Sequence, residues 1–202
     1  MEKEKDYDLS LFIKIIGSPG VGKTSILERY FKGTFTEKPF SKTDLYIQTK
    51  FFEFDSKKVK VNYKDTDGVE KYIDFSENLV RGADGFILVY DITKQNTFDS
   101  LNRYFDYIRE KFSNLPKILI GNKLDLEEER VVRREEAQAL ADSNGFNYFE
   151  GSAKSGFNIN EALDEIARIT YLDNKDVKVM KIQSSGTHHS SHSYKNKSCL
   201  IF

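Results

Sequence analysis

The eight residues Gly17-Ser18-Pro19-Gly20-Val21-Gly22-Lys23-Thr24 constrain this chain more than any other stretch. They follow a short apolar run, Leu11–Ile16. They lead into Gly22 to Lys32, where Ile26, Leu27 and Tyr30 share one helical face. A G-x-x-x-x-G-K-[ST] pattern between a strand and a helix is a phosphate-binding loop. Its glycines let the backbone curl until successive N–H groups point at one anion, and the helix adds its positive N-terminal dipole. On this reading Gly17, Ser18, Gly20, Val21, Gly22, Lys23, Thr24 and Ser25 form the cradle. Lys23 neutralises the β- and γ-phosphates, and the Thr24 hydroxyl ligates Mg²⁺. The loop alone does not separate ATP from GTP, or a kinase from a switch.

The rest of the chain supplies a sheet to carry such a loop. Leu45–Phe54 and Lys58–Lys64 alternate as two strands of a hairpin, with Asp55-Ser56-Lys57 as the turn. The pattern then becomes regular: strand Phe86–Asp91, helix Thr97–Phe112, strand Lys117–Ile120, helix Arg134–Ser143, strand Phe146–Glu150, helix Asn158–Leu172. Alternating strands and helices imply an α/β fold with helices on both faces of a parallel sheet. The expected architecture is a three-layer P-loop NTPase: six strands, mostly parallel with one antiparallel, and about five helices. Ligands in such folds sit beyond the carboxyl ends of the strands, which is where the motifs below fall.

The 202 residues suit one domain with tails. Residues 1–8 are expected to be disordered, 9–173 to form the domain and 174–202 a flexible tail. Charge is balanced at 31 basic and 32 acidic residues, which argues against a dedicated nucleic-acid binder. The single cysteine, Cys199, excludes an intrachain disulfide and fits a reducing compartment. Glu2 at the second position excludes N-myristoylation, and no apolar run is long enough to span a bilayer. His188, His189 and His192 lie in the Ser-rich tail, with no scaffold to fix metal geometry, and are read as solvated.

Three further segments carry chemistry. Asn122-Lys123-Leu124-Asp125 follows a strand. A carboxylate there can accept from guanine N1–H and N2–H₂ together, a donor pair that adenine lacks, so Asp125 selects guanine. That counts against a P-loop kinase or ATPase. Gly151-Ser152-Ala153-Lys154 follows the next strand, and the Ala153 N–H can read guanine O6. Asp65-Thr66-Asp67-Gly68 follows the hairpin. Asp65 can hold Mg²⁺ through water, and the Gly68 N–H can reach a γ-phosphate.

Together these pieces resemble the Ras superfamily of small GTPases, over roughly Leu9 to Leu172. Arg81 through Thr93, and Glu28-Arg29-Tyr30-Phe31, are most similar to the Rab branch. The resemblance implies GTP/GDP and Mg²⁺ as ligands, and a monomeric switch with exchange-factor and effector partners. It assigns Asn122 to the base, and Lys123 to packing along the base and bracing the P-loop. Ser152, Ala153 and Lys154 complete the base pocket. Residues of about 33–46 and 65–80 correspond to the two switches, which the γ-phosphate orders. The chain departs from the family where Val69 replaces the glutamine that positions water, and Asp67 an alanine. Lys64 stands in an apolar place. An ungapped count puts Lys42 at the Mg²⁺ threonine of the first switch, with Thr43 and Ser41 one place to either side; a one-residue loop shift would bring in Thr43, which is taken as the metal ligand of this switch. Pro19 removes one N–H from the cradle. Weak hydrolysis follows, or alternatively a non-hydrolysing scaffold that keeps its nucleotide.

The chain ends Cys199-Leu200-Ile201-Phe202, a C-a-a-X sequence whose terminal Phe favours geranylgeranylation of Cys199. One lipid with only Lys195 and Lys197 beside it implies reversible residence on a cytoplasmic membrane face, with a cytosolic pool. A prenyltransferase and a role in membrane trafficking or signalling are then expected from the resemblance.

Overall fold

The computed structural model describes residues 6–37, 47–66, 80–112 and 114–184. Six strands, β1 (Leu9–Ile16), β2 (Ile47–Phe54), β3 (Lys57–Asp65), β4 (Gly85–Asp91), β5 (Lys117–Asn122) and β6 (Asn147–Glu150), form one sheet. Five helices accompany them among the described residues: α1 (Lys23–Lys32), α2 (Gln95–Asp99), α3 (Leu101–Phe112), α4 (Arg134–Asn144) and α5 (Ile159–Ser184). The spatial order is β2-β3-β1-β4-β5-β6, with β2 alone antiparallel to its neighbour. This is the expected three-layer α/β/α architecture.

Burial follows from that order. β4 and β5 are covered on both faces, so Gly85–Asp91 and Lys117–Asn122 are buried at every position. β2 is an edge, and its residues alternate between exposed and half-buried. One apolar layer joins Ile13, Ile15, Val61 and Val89 to Ile26 and Leu27 of α1 and to Leu163 and Ile166 of α5. The opposite layer joins Ile16, Leu88 and Leu119 to Leu101 and Phe105 of α3 and Ala137 of α4. Burying apolar area on both sheet faces is the main force holding the strand ends in register.

Several boundaries differ from the sequence expectation. Asp8 is already anchored, its N–H donating to the Lys58 carbonyl, so order begins before residue 9. Asp55 and Ser56 both take left-handed φ (49° and 59°) and make the hairpin in two residues, which leaves Lys57 in β3. Helix 97–112 is two helices meeting at Ser100. β5 runs two residues further than expected and contains Asn122. α5 does not stop at Leu172: it continues to Ser184, so the first part of the segment expected to be flexible tail is helical.

Candidate nucleotide-binding site

The loop between β1 and α1 passes so close to neighbouring chain that only glycine fits at two places. A Cβ on Gly17 would lie 2.2 Å from the Val89 carbonyl oxygen. Gly22 has φ 99°, and a Cβ there would lie 2.3 Å from Asn122 Nδ2. The Lys23 ammonium is buried and donates to the carbonyls of Gly17 (2.7 Å) and Ser18 (3.2 Å). That places a positive charge inside the curl, where an anion is to be received.

Thr24 and Asp65 come from different elements and meet, the Thr24 hydroxyl donating to Asp65 Oδ2 at 2.5 Å. A hydroxyl and a carboxylate side by side are hard oxygen ligands of the kind Mg²⁺ takes, so the residues present fit that ion. Thr66, beside Asp65, donates from its hydroxyl to the Ile15 carbonyl (2.7 Å) and fixes the end of β3 against β1. The other phosphate and metal assignments, Gly68 and Thr43, lie outside the described residues, as do Lys42, Asp67, Val69 and Cys199.

At the far end of the site, side-chain ties replace backbone curl. Asp125 is held by Ser152, whose hydroxyl donates to Asp125 Oδ1 at 2.5 Å. Ser152 Oγ in turn accepts from the Ser155 N–H at 3.0 Å. Asn122 uses both ends of its amide within the protein: Nδ2 donates to the Val21 carbonyl (2.8 Å), and Oδ1 accepts from the Ala153 N–H (3.1 Å). Asn122 is thus a tie between the phosphate loop and the base loop, where the resemblance assigned it to the base. The Ala153 N–H, assigned to guanine O6, is given to that tie.

Lys123 adopts left-handed φ (73°), and its ammonium pairs with Asp91 at 2.6 Å, while Asn122 supplies a tie to Val21 of the phosphate loop. Asp91 is wholly buried, which by itself would raise its pKa. Lys123 and the Thr93 hydroxyl and N–H overcome that effect and hold the carboxyl below its ordinary range. The 3-10 turn Leu124–Glu129 that carries Asp125 is fastened at its end by Arg130, which bridges Glu127 (2.6 and 2.8 Å) and the buried Glu150 of β6 (2.7 Å). The Arg130 guanidinium holds the Glu127 carboxyl below the usual range.

These pieces enclose one cavity of about 500 Å³. Gly20, Gly22, Lys23, Thr24 and Ser25 line its phosphate end, and Asn122, Lys123, Asp125, Ala153 and Lys154 its base end. Phe35, Glu37 and Leu126 also line it; the first two fall in the segment expected to be the first switch, and the sequence reading singled out none of the three as a site residue. Phe35 stands in a polar stretch without periodicity, and its only sequence signal is an aromatic in a loop otherwise rich in polar residues. Arg29 was missed as a site residue for a different reason. It lies on α1, yet its guanidinium reaches the carbonyls of Ala153 and Lys154, far away in sequence.

The arrangement defines a P-loop protein with a carboxylate-bearing base pocket. The sequence model of the Ras family matches residues 13–171. Among curated relatives, "GTP-binding protein ypt2" of Schizosaccharomyces pombe is 37% identical over 165 residues, 81% of this chain and 82% of the relative. Human "Ras-related protein Rab-3B" is 38% identical over 164 residues, 81% of this chain and 75% of the relative. "Ras-related protein Rab-1" of Theileria parva is 37% identical over 166 residues, 81% and 76% of the two chains. The chain belongs to the Ras family of small GTPases, in its Rab branch.

Proposed function

We propose that this chain binds GTP and GDP with Mg²⁺ and works as a Rab-like switch in trafficking or signalling at a membrane. The observation that carries the reading is one continuous cavity with Lys23 and Thr24 at one end and Asp125, fixed by Ser152, at the other. Such a cavity takes an anion at one end and a base with paired donors at the other. Mg²⁺, when bound by Thr24 and, through water, Asp65, would supply charge neutralisation at the phosphates. The protein's own residues do the rest: they grip the phosphates, select the base and fix the distance between the two.

Hydrolysis is proposed to be slow. Val69 carries no donor or acceptor and cannot orient a water, and Asp67 adds negative charge beside the phosphate motif. Those same residues, with Lys42, favour a second reading, in which the nucleotide is kept unhydrolysed and the protein serves as a binding module. A geranylgeranyl group on Cys199 is proposed as the membrane anchor, and no helix among the described residues is long and apolar enough to cross a bilayer. Cys199→Ser should then leave nucleotide binding intact and shift the protein in cells to the soluble fraction.

The test is to load purified protein with GTP or ATP and identify the bound nucleotide over time by chromatography. Retained GTP that turns to GDP more slowly than the roughly 10⁻⁴ per second of a glutamine-bearing relative, and faster in Val69→Gln, supports the slow switch. GTP held unchanged in both proteins favours the binding module. Retention of ATP in preference to GTP would overturn both readings.

A further inference from the structure

The conformation of the base loop is held from behind by one residue of α1. Arg29 Nε donates to the Ala153 carbonyl (2.8 Å), and one terminal nitrogen donates to the Lys154 carbonyl (2.5 Å). The other terminal nitrogen donates to the Gly33 carbonyl (2.6 Å), while the Gly33 N–H returns a bond to the Arg29 carbonyl (2.9 Å). No carboxylate pairs with Arg29 among the described residues, so its fork serves three neutral carbonyls. The aliphatic part is used as well. The loop turns at Gly156 with φ 90°, where an added Cβ would lie 3.4 Å from Arg29 Cδ.

This geometry joins the two ends of the cavity by a rigid rod. α1 begins at Lys23 and Thr24, which serve the phosphate end, and carries Arg29 six residues on from Lys23. At 1.5 Å per residue that is a spacer of about 9 Å. The Ala153 residue is thereby clamped on both sides: Asn122 holds its N–H from the phosphate loop, and Arg29 holds its C=O from the helix. Gly33, the left-handed cap of α1, is fixed by the same guanidinium, so the chain's exit toward Phe35 and Glu37 of the cavity wall is set together with the base loop.

We propose that Arg29 is a positioning residue that sets the spacing between the phosphate cradle and the base loop, and through it the preference for guanine. It touches no nucleotide in this scheme; it acts through Ala153, Lys154 and Gly33. The inference rests on the guanine-nucleotide reading above. A lysine cannot span two loops at once, because its donors share one atom, whereas the planar guanidinium presents them in a fixed fork.

The experiment follows release of a fluorescent GDP from the full chain, with excess Mg²⁺ and with EDTA, alongside competition by GDP and ADP. Arg29→Ala is expected to speed release roughly tenfold, as loss of charge-assisted bonds to two loop carbonyls implies. Its preference for GDP over ADP should shrink, while the acceleration by EDTA stays as in the wild type, because the metal end is untouched. Arg29→Lys should recover part of the release rate and less of the selectivity. Wild-type release from Arg29→Ala would overturn the proposal. So would faster release with an unchanged GDP-to-ADP preference, which marks a merely structural role. If Arg29→Ala does not fold, the same two readings on Arg29→Lys decide. Failure of the wild type to prefer GDP would instead refute the guanine site itself.

Discussion

The two ends of the cavity are built by opposite means. At the end proposed for the phosphates the wall is one contiguous run that carries Lys23 and Thr24, and its Gly17 and Gly22 sit too close to Val89 and Asn122 to carry any side chain. At the end proposed for the base, groups from separate elements are tied to one another: Asp125 to Ser152, Lys123 to Asp91, and the Ala153 backbone to Asn122 and Arg29. Backbone recognition is local and fails all at once when the loop cannot curl. Side-chain recognition is distributed, so it should fail in degrees and with a change of specificity.

The largest effect is expected where the two ends touch. Gly22→Ala places a Cβ against the Asn122 amide and strains a left-handed residue. It should weaken GDP binding by roughly a hundredfold or more, read by titration calorimetry, since it disturbs the curl and the Asn122 tie together. A loss below tenfold would show that the loops are less tightly interlocked than the distances indicate.

Asp125→Asn comes next, and it should change specificity without abolishing phosphate binding. The amide cannot accept from both N1–H and N2–H₂, so affinity for GDP should fall on the order of a hundredfold. Affinity for xanthosine diphosphate, whose C2 oxygen accepts, should rise. Competition between the two diphosphates checks it, and retained guanine preference would move the base pocket elsewhere.

The smallest effect is a supporting one. Asp91→Asn removes the partner of Lys123 and should cost about 1–3 kcal/mol of stability at neutral pH. The Asp91 carboxyl is held below its ordinary range in the folded protein, so its contribution is present above the unfolded carboxylate pKa and disappears as pH falls through the lower folded value. Denaturant midpoints of the variant should therefore decline less steeply with acid below about pH 4 than those of the wild type. Glu127 and Glu165, also held low by their arginines, keep some acid dependence in both proteins. Parallel acid profiles would remove Asp91 from the account.

The same contrast explains what could be read from the sequence. The phosphate loop is a contiguous pattern between an apolar run and a helical face, so its residues and its place in the fold were legible. The strand-helix alternation gave the sheet for a similar reason: period-2 and period-3.6 patterns are local. Ties across the fold leave no such trace. Nothing near Arg29 signals Ala153, and nothing near Asn122 signals Val21. No local pattern near Lys123 announces that Asp91, at the end of β4, turns its carboxylate toward it. The helical end of α5 was missed because Lys175 through Ser184 mixes apolar and charged residues without a clean face. Helix there continues from a turn already anchored by Tyr171 and Thr170 in the core, and propagation needs less than nucleation.

The central claim is that one ligand is gripped at both ends, by backbone at its phosphates and by a braced carboxylate at its base. Equilibrium competition of GDP, GMP and ADP against a fluorescent GDP on the wild-type protein with Mg²⁺ tests it most directly. The account predicts that GDP binds at least about a hundredfold more tightly than GMP, which lacks the β-phosphate, and than ADP, which lacks the paired donors. Equal affinity for GDP and ADP, or for GDP and GMP, would contradict it.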